Sequence, residues 1–281
     1  MIIDSHTHIF PKSISENRSH YFGGEPAFRL LYESPKSKTA DAETLIESMD
    51  LNGVDVSVVF GFPWKNPDTC RKHNDYILKT VAEYPKRIIG LCCADMYEKG
   101  AYDEIKRCLD AGLSGVGEIA FYQSGIGPDA LELLHPVMAL CRSRDMPLMI
   151  HTNEPIGHFY PGKTPVSLGQ IYSVAQTFPE NKIILAHWGG GIFFYSLMKK
   201  EVRQTLQNVF FDTAASPFLY DSKIYRIAVE TAGVEKVLLG TDFPLIKPDR
   251  YYKEMEVAGL TENEKIRICG GNAAALFKLS E

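Results

Sequence analysis

Along the whole chain, short apolar runs alternate with longer amphipathic stretches, and the cycle repeats eight times without a linker or low-complexity break. The runs MIID, VDVSVVF, RIIGLCCA, LSGVGEIA, PLMIH, KIILAH, NVFFDT and KVLLGTD predict strands. Their near-continuous apolarity implies burial on both faces, as in a parallel sheet. Helical periodicity fills the intervals 41–51, 68–84, 101–111, 129–144, 167–178, 192–206, 221–232 and 262–277. Asp41, Asp68, Asp129, Ser167 and Asp221 or Ser222 are the expected N-caps, and Gly53, Gly112 and Gly233 the expected stops. Eight strand–helix units predict an α/β fold of the (β/α)8 TIM-barrel type, distorted, as one domain over 1–281. An open doubly wound sheet would carry a glycine-rich phosphate loop, which is not found. The one long interruption, 10–39, is expected to be an irregular lid or binding loop.

Composition narrows the class. With 45% hydrophobic residues in 281, the chain can bury a substantial core. Lys+Arg 30 against Asp+Glu 35 leaves it mildly acidic, with no basic tract for nucleic acid or an anionic membrane, so a small-molecule substrate is expected. The initial apolar run is too short for a signal peptide or a membrane span, which points to the cytoplasm. Cys70, Cys92, Cys93, Cys108, Cys141 and Cys269 show no C-x-x-C spacing and read as structural thiols in a reducing compartment. A homo-oligomer is compatible with all of this.

The chemistry lies at the strand ends. In DSHTHIF, alternation turns Asp4, His6 and His8 to one face. Strand four carries Glu118 in GVGEIA; strand five ends at His151, strand six at His187 and strand eight at Asp242. In a barrel these positions all look toward the C-terminal mouth, where several strand ends build the active site. Four imidazoles and two acids gathered there would be costly without a cation or a catalytic use. Nitrogen and oxygen donors without thiolate suit Zn²⁺, Mn²⁺, Fe²⁺, Co²⁺ or Ni²⁺ better than Mg²⁺ or Ca²⁺.

The ordered set DSHTH, IHTN, AHWGG, GTDFP and GGNAAALF resembles the amidohydrolase superfamily over nearly the whole chain. Within it the chain is most similar to the amidohydrolase-2 branch, which includes lactonases and aminocarboxymuconate-semialdehyde-type decarboxylases. The resemblance implies that His6, His8, His151 and Asp242 hold a primary metal, and that His187 polarises the substrate or helps to activate water. GVGEI resembles instead the strand-four glutamate of TatD-like hydrolases. That likeness implies Glu118 as a bridge to a second ion held by His151 and His187. One or two divalent ions are therefore expected, with zinc ranked first and manganese second.

The resulting expectation is a metal-dependent hydrolase. Activated water attacks the carbonyl of a small lactone, amide or carboxylate-bearing substrate, with Asp242 moving the proton and His187 assisting the oxyanion. Arg18, Arg29, Tyr160, Lys163, Lys247 and Arg250 are the cationic and aromatic residues expected above the site. The alternative is a metal-dependent non-oxidative decarboxylase like the aminocarboxymuconate-semialdehyde enzyme. A histidinol-phosphatase-like phosphoesterase fits less well, because IFPKS follows His8 and Asp242 sits in TDFP. A catalytically silent metal-binding barrel should have lost donors, yet each expected position is filled.

Overall fold

The structure, a computed structural model, describes residues 1–279. Its strands form where the apolar runs lie: β1 Ile3–His8, β2 Val56–Phe60, β3 Ile88–Gly90, β4 Val116–Ile119, β5 Leu148–Ile150, β6 Ile183–Leu185, β7 Val209–Asp212 and β8 Val237–Leu238. They pair in parallel and in chain order as two ladders, β1-β2-β3 and β4-β5-β6-β7-β8. Single parallel bridges span the two seams, Cys92 with Val116 and Thr7 with Phe243. Hydrogen bonds from Cys92 N to Gly115 O and from Ser5 N to Leu239 O reinforce them. The ring so joined is the expected (β/α)8 barrel.

Strand alternation divides the core. Val56, Val58 and Phe60 join Ile3, Ile89, Met149, Ile184 and Leu238 in one buried cluster, while Val59, Ile88, Leu148 and Ile183 pack into the larger cluster with the helices. Helix Ala42–Asn52 is capped by Asp41, whose side chain accepts from Thr44 N, and stops at Gly53 with φ 68°. Helix Leu168–Thr177 starts with a capping box between Ser167 and Gln170. Three expected caps are displaced. Asn66 caps Pro67–Glu83 because Pro67 takes the first helical position, and Pro128 does the same after Gly127, leaving Asp68 and Asp129 as first-turn acids. The expected cap Asp221 lies in the turn before helix Ile224–Thr231 and accepts from Lys223 N.

Larger departures occur where the chain leaves the strand–helix rhythm. The helix expected over 192–206 is instead a 3₁₀ segment, His187–Leu197, followed by the short helix Lys200–Thr205. The left-handed residues Trp188 to Gly191 lie just before the expected span, and within it Met198, at φ −82° and ψ −126°, leaves helical geometry and separates the two pieces. The last helix breaks into Glu262–Ile266, a π turn Arg267–Gly271 and Asn272–Phe277. The expected loop 10–39 holds helices Lys12–Ser15 and Pro26–Tyr32, anchored by fully buried Phe10, Ile14 and Phe28. Helix Pro248–Val257 was not expected from the sequence pattern. All six cysteines are free, and five are buried. No helix among the described residues is long and apolar enough to cross a membrane.

Candidate metal centre

Each predicted donor is carried to the C-terminal mouth by its strand or by the first residues beyond it. His6 and His8 close β1, Glu118 lies in β4, and His151, His187 and Asp242 follow β5, β6 and β8. His187 and Asp242 have φ of 54° and 58°. This left-handed turn, costing about 1–3 kcal/mol for a non-glycine residue, occurs directly at the strand exits.

The six converge. His6 Nε2 lies 3.3 Å from His8 Nε2, and Asp242 Oδ1 lies 3.7 Å from the first and 3.4 Å from the second. Glu118 Oε1 is 2.9 Å from His151 Nδ1, 3.6 Å from His187 Nε2 and 3.9 Å from His6 Nε2, while its Oε2 is 3.8 Å from His8 Nε2. Ligands about 2.1 Å from one ion lie about 3.0–3.5 Å apart at octahedral or tetrahedral angles, so the spacings of 2.9–3.4 Å match the edges of a coordination shell, while those of 3.6–3.9 Å are slightly wider. In three overlapping sets the donor atoms all lie within 4.8 Å of one another: His6 with His8 and Glu118, His6 with His187 and Asp242, and Glu118 with His151 and His187.

Asp4 lies beside the donors without joining them. It shares the face of β1, but its carboxylate accepts from the backbone and hydroxyl of Thr241 and from His6 N. Burial raises its carboxyl to about 6 against those hydrogen bonds. It therefore clasps β1 to the chain beyond β8 and contributes no donor to the centre.

Sequence reasoning missed Asp212, at the end of β7. One oxygen receives His6 Nδ1–H at 2.9 Å, and the other accepts from His187 N and Ala214 N. With Nδ1 committed as donor, His6 turns Nε2 to the cluster. The same criterion that selected Asp242, an acid closing an apolar strand, would have selected Asp212. Gly240 completes this corner: a Cβ there would lie 2.8 Å from His6 Cβ, so only glycine fits without displacing the ligand.

The electrostatics call for a cation. Burial opposes charge on His6, but the neighbouring Asp212 and Glu118 carboxylates outweigh it and raise the imidazole to about 10. His187 is likewise raised, burial being overcome by Glu118 and Asp242. Burial would raise Glu118, yet the charges of His151 and His6 hold it well below the carboxylate range. Asp242 is also held below that range, burial yielding to its hydrogen bond with His8 and to His6 and His187. Two ionised acids thus draw protons onto buried imidazoles. A divalent ion supplies the same positive charge and displaces those protons, so the donor set fits one.

The surroundings are aromatic. Phe60 meets both His6 and His8 edge-on with ring centroids 5.0 and 4.7 Å away, and Tyr122 stacks on His151 at 6.0 Å. Beside Tyr122 opens a cavity of about 630 Å³, lined also by Leu30, Asn153, Phe159 and Lys163. Most of the expected cationic rim has other employment. Arg29 pairs with Glu33 on the surface, Arg250 donates to Pro217 O, and Lys247 precedes the first turn of Pro248–Val257. Lys163 and Tyr160 both bind Glu154. Arg18, on the 10–39 insertion, donates to Ser37 O and has no carboxylate partner among the described residues.

With that geometry in place, likenesses to known proteins become interpretable. The chain is 25% identical to a 2-amino-3-carboxymuconate-6-semialdehyde decarboxylase of Dictyostelium discoideum, over 99% of this chain and 91% of that protein. It is 24% identical to a gamma-resorcylate decarboxylase of Polaromonas, over 85% and 84%. Its fold matches the 5-carboxyvanillate decarboxylase of Novosphingobium aromaticivorans, solved with manganese and 4-hydroxy-3-methoxy-5-nitrobenzoic acid. There the TM-score is 0.79 at 17% identity, covering 99% of this chain and 96% of that one. The curated relatives support an enzyme and the donor cluster supports a divalent metal, but nothing here supports the expected hydrolysis or zinc; all three proteins are decarboxylases. The amidohydrolase family pattern matches residues 3–279, and the chain belongs to that family, in its amidohydrolase-2 branch.

Proposed function

We propose that this protein is a metal-dependent, non-oxidative decarboxylase of a small carboxylic acid borne on an aromatic or conjugated skeleton. The observation that carries the reading is a complete six-donor cluster in a chain resembling a decarboxylase from end to end. Glu118, first taken as the mark of a hydrolase, faces His151 and His187 as a charge partner, a role that serves decarboxylation equally well.

In this proposal one divalent ion, manganese ahead of zinc, is held by His6, His8, His151 and Asp242. Bound there, such an ion would supply Lewis-acid character toward a carboxylate and an adjacent oxygen. The other roles belong to the chain. Phe60 and Tyr122 exclude water and offer flat apolar surface to an unsaturated skeleton. His187 donates through Nδ1 to Ala214 O at 3.0 Å, leaving Nε2 toward Glu118 and the reaction space. With Nδ1 committed to Ala214 O, Nε2 is the His187 nitrogen that can carry and hand over a proton, while Asp242 serves as a ligand. The reaction balances simply: the proton adds to the carboxyl-bearing carbon, the bond to the carboxylate breaks, carbon dioxide leaves, and its electron pair stays with the skeleton.

The test uses manganese-reconstituted protein with hydroxybenzoates, 2-amino-3-carboxymuconate semialdehyde, lactones and amides in deuterated, ¹⁸O-enriched water. The expected outcome is carbon dioxide in step with substrate loss, one solvent deuterium on the former carboxyl-bearing carbon and no solvent oxygen in the organic product. Turnover of a lactone or amide that incorporates solvent oxygen without carbon dioxide overturns the proposal.

A further inference from the structure

The segment following β5 leaves the barrel at His151, exposes its tip at Ile156 and Phe159, and returns to the helix Leu168–Thr177. It is cross-braced at two levels. At the base, buried Asn153 Oδ1 accepts from both Thr164 N and Thr164 Oγ1 at 2.7 Å. Above it, Glu154 spends one oxygen on Lys163 Nζ and the other on Tyr160 OH, each at 2.8 Å, and Lys163 also reaches Ile156 O at 3.2 Å. The Glu154 and Lys163 side chains are only 16% and 13% exposed, against 56% and 59% for the surface pair Glu33 and Arg29. A shielded pair is screened less by water and salt, so it can hold the returning arm in place.

What it holds is Gly162, between the two residues that Glu154 binds. The Gly162 carbonyl lies 2.8 Å from His151 Nε2. A carbonyl only accepts, so this contact fixes the proton on Nε2. Nδ1 is then the nitrogen turned inward, 2.9 Å from Glu118 Oε1. In the neutral imidazole Nδ1 carries the lone pair, and a cation bound there takes the place of the proton that otherwise joins Nδ1 to the Glu118 carboxylate.

We propose that Glu154 and Lys163 are positioning residues for the metal centre: their pairing presents the Gly162 carbonyl to His151 and so selects Nδ1 as its coordinating atom. Neither residue touches the donor cluster. The inference rests on the functional reading only in taking His151 as a ligand, and it is independent of which reaction follows.

The experiment measures Mn²⁺ affinity of the metal-free protein from the electron paramagnetic resonance of free Mn²⁺, for wild type, Glu154→Gln, Lys163→Met, Lys163→Arg and His151→Ala. In parallel, ¹⁵N-histidine-labelled, Zn²⁺-loaded protein is examined for a solvent-protected Nε2–H resonance, assigned by its loss in His151→Ala. Glu154→Gln and Lys163→Met should weaken Mn²⁺ about tenfold, the lower end for residues that orient a metal ligand. They should also lose protection of that resonance, and Lys163→Arg should restore both. Affinity within twofold of wild type together with an intact resonance overturns the inference, even where the variants melt at lower temperature. Wild-type affinity in His151→Ala instead overturns the assignment of His151 as a ligand, a distinct failure.

Discussion

The two halves of the centre are held by different means. On the side of β1, β7 and β8, strand-borne side chains brace one another: Asp212 orients His6, Asp4 clasps Thr241, and the backbone of Asp242 donates to His6 O. On the side of β4, β5 and β6, the braces are loop carbonyls, Gly162 O for His151 and Ala214 O for His187. The first half is pre-set by barrel hydrogen bonds; in the second, the His187–Ala214 turn is tied back to the barrel through Asp212, and only the His151 ring rests on a carbonyl from a long loop. In the proposed reading, a site so divided would keep a fixed anchor for the ion while His151 answers to the loop above it.

The largest expected effect removes the anchor. His6→Ala deletes a donor shared by two of the three donor sets and should reduce bound metal to background, with kcat/KM falling at least about a thousandfold. Glu118→Gln should leave metal near one ion per chain, as in wild type, if Glu118 acts as a charge partner. A fall from near two ions toward one would make it the bridge of a binuclear centre. Metal analysis by plasma emission, with activity on the same samples, reads both outcomes.

A smaller effect probes the brace and not the ligand. Asp212→Asn retains the shape of the side chain but weakens its hold on His6 Nδ1–H and on the loop at His187 N and Ala214 N. Metal affinity should fall about 10–100-fold, since residues that orient a ligand typically matter at that scale. An unchanged affinity would show that the barrel backbone alone positions His6, and the contrast between the two halves would lose its basis.

The sequence discloses the donors more readily than their supports, and the reason is physical. His6, His8, Glu118, His151, His187 and Asp242 carry distinctive side chains at or just beyond strand ends, where a parallel barrel sends them to one mouth. Asp212 is an equally visible side chain at an equivalent position, hidden only because an acid before a turn has a commonplace explanation. Gly162 and Ala214 act through carbonyls, which every residue possesses, so composition and spacing carry no trace of them. The 192–206 stretch misled for a related reason: its apolar periodicity suits a helix, but the chain enters it from the left-handed turn His187–Gly191 and leaves helical geometry at Met198. The cationic rim misled because charge in a loop does not tell which neighbour it will pair with, as Lys163 and Glu154 illustrate.

The smallest effect tests the strand-braced half from behind. His73, on the helix Pro67–Glu83, is buried beneath the mouth, 2.7 Å from Ile9 O through Nε2 and 2.9 Å from Trp64 Nε1 through Nδ1. It ties the residue after His8 to the helix and accepts the indole hydrogen, so its neutral form satisfies both contacts. Burial depresses its imidazole to about 4, against the opposing pull of the Ile9 carbonyl. In the unfolded chain the value returns to about 6.5. Between those limits the unfolded state binds more protons, so stability is fully present above about 6.5 and is lost as the pH falls toward 4. By pH 5 the loss is about 2 kcal/mol. His73→Gln removes this titration while leaving other acid-sensitive groups in place. The variant should melt below wild type at pH 7, and the gap should narrow steadily as both are taken to pH 5 in metal-free buffer. A gap that stays constant across that range would mean that His73 is protonated alike in the folded and unfolded chains, and that the support behind β1 is not the dry, neutral contact described here.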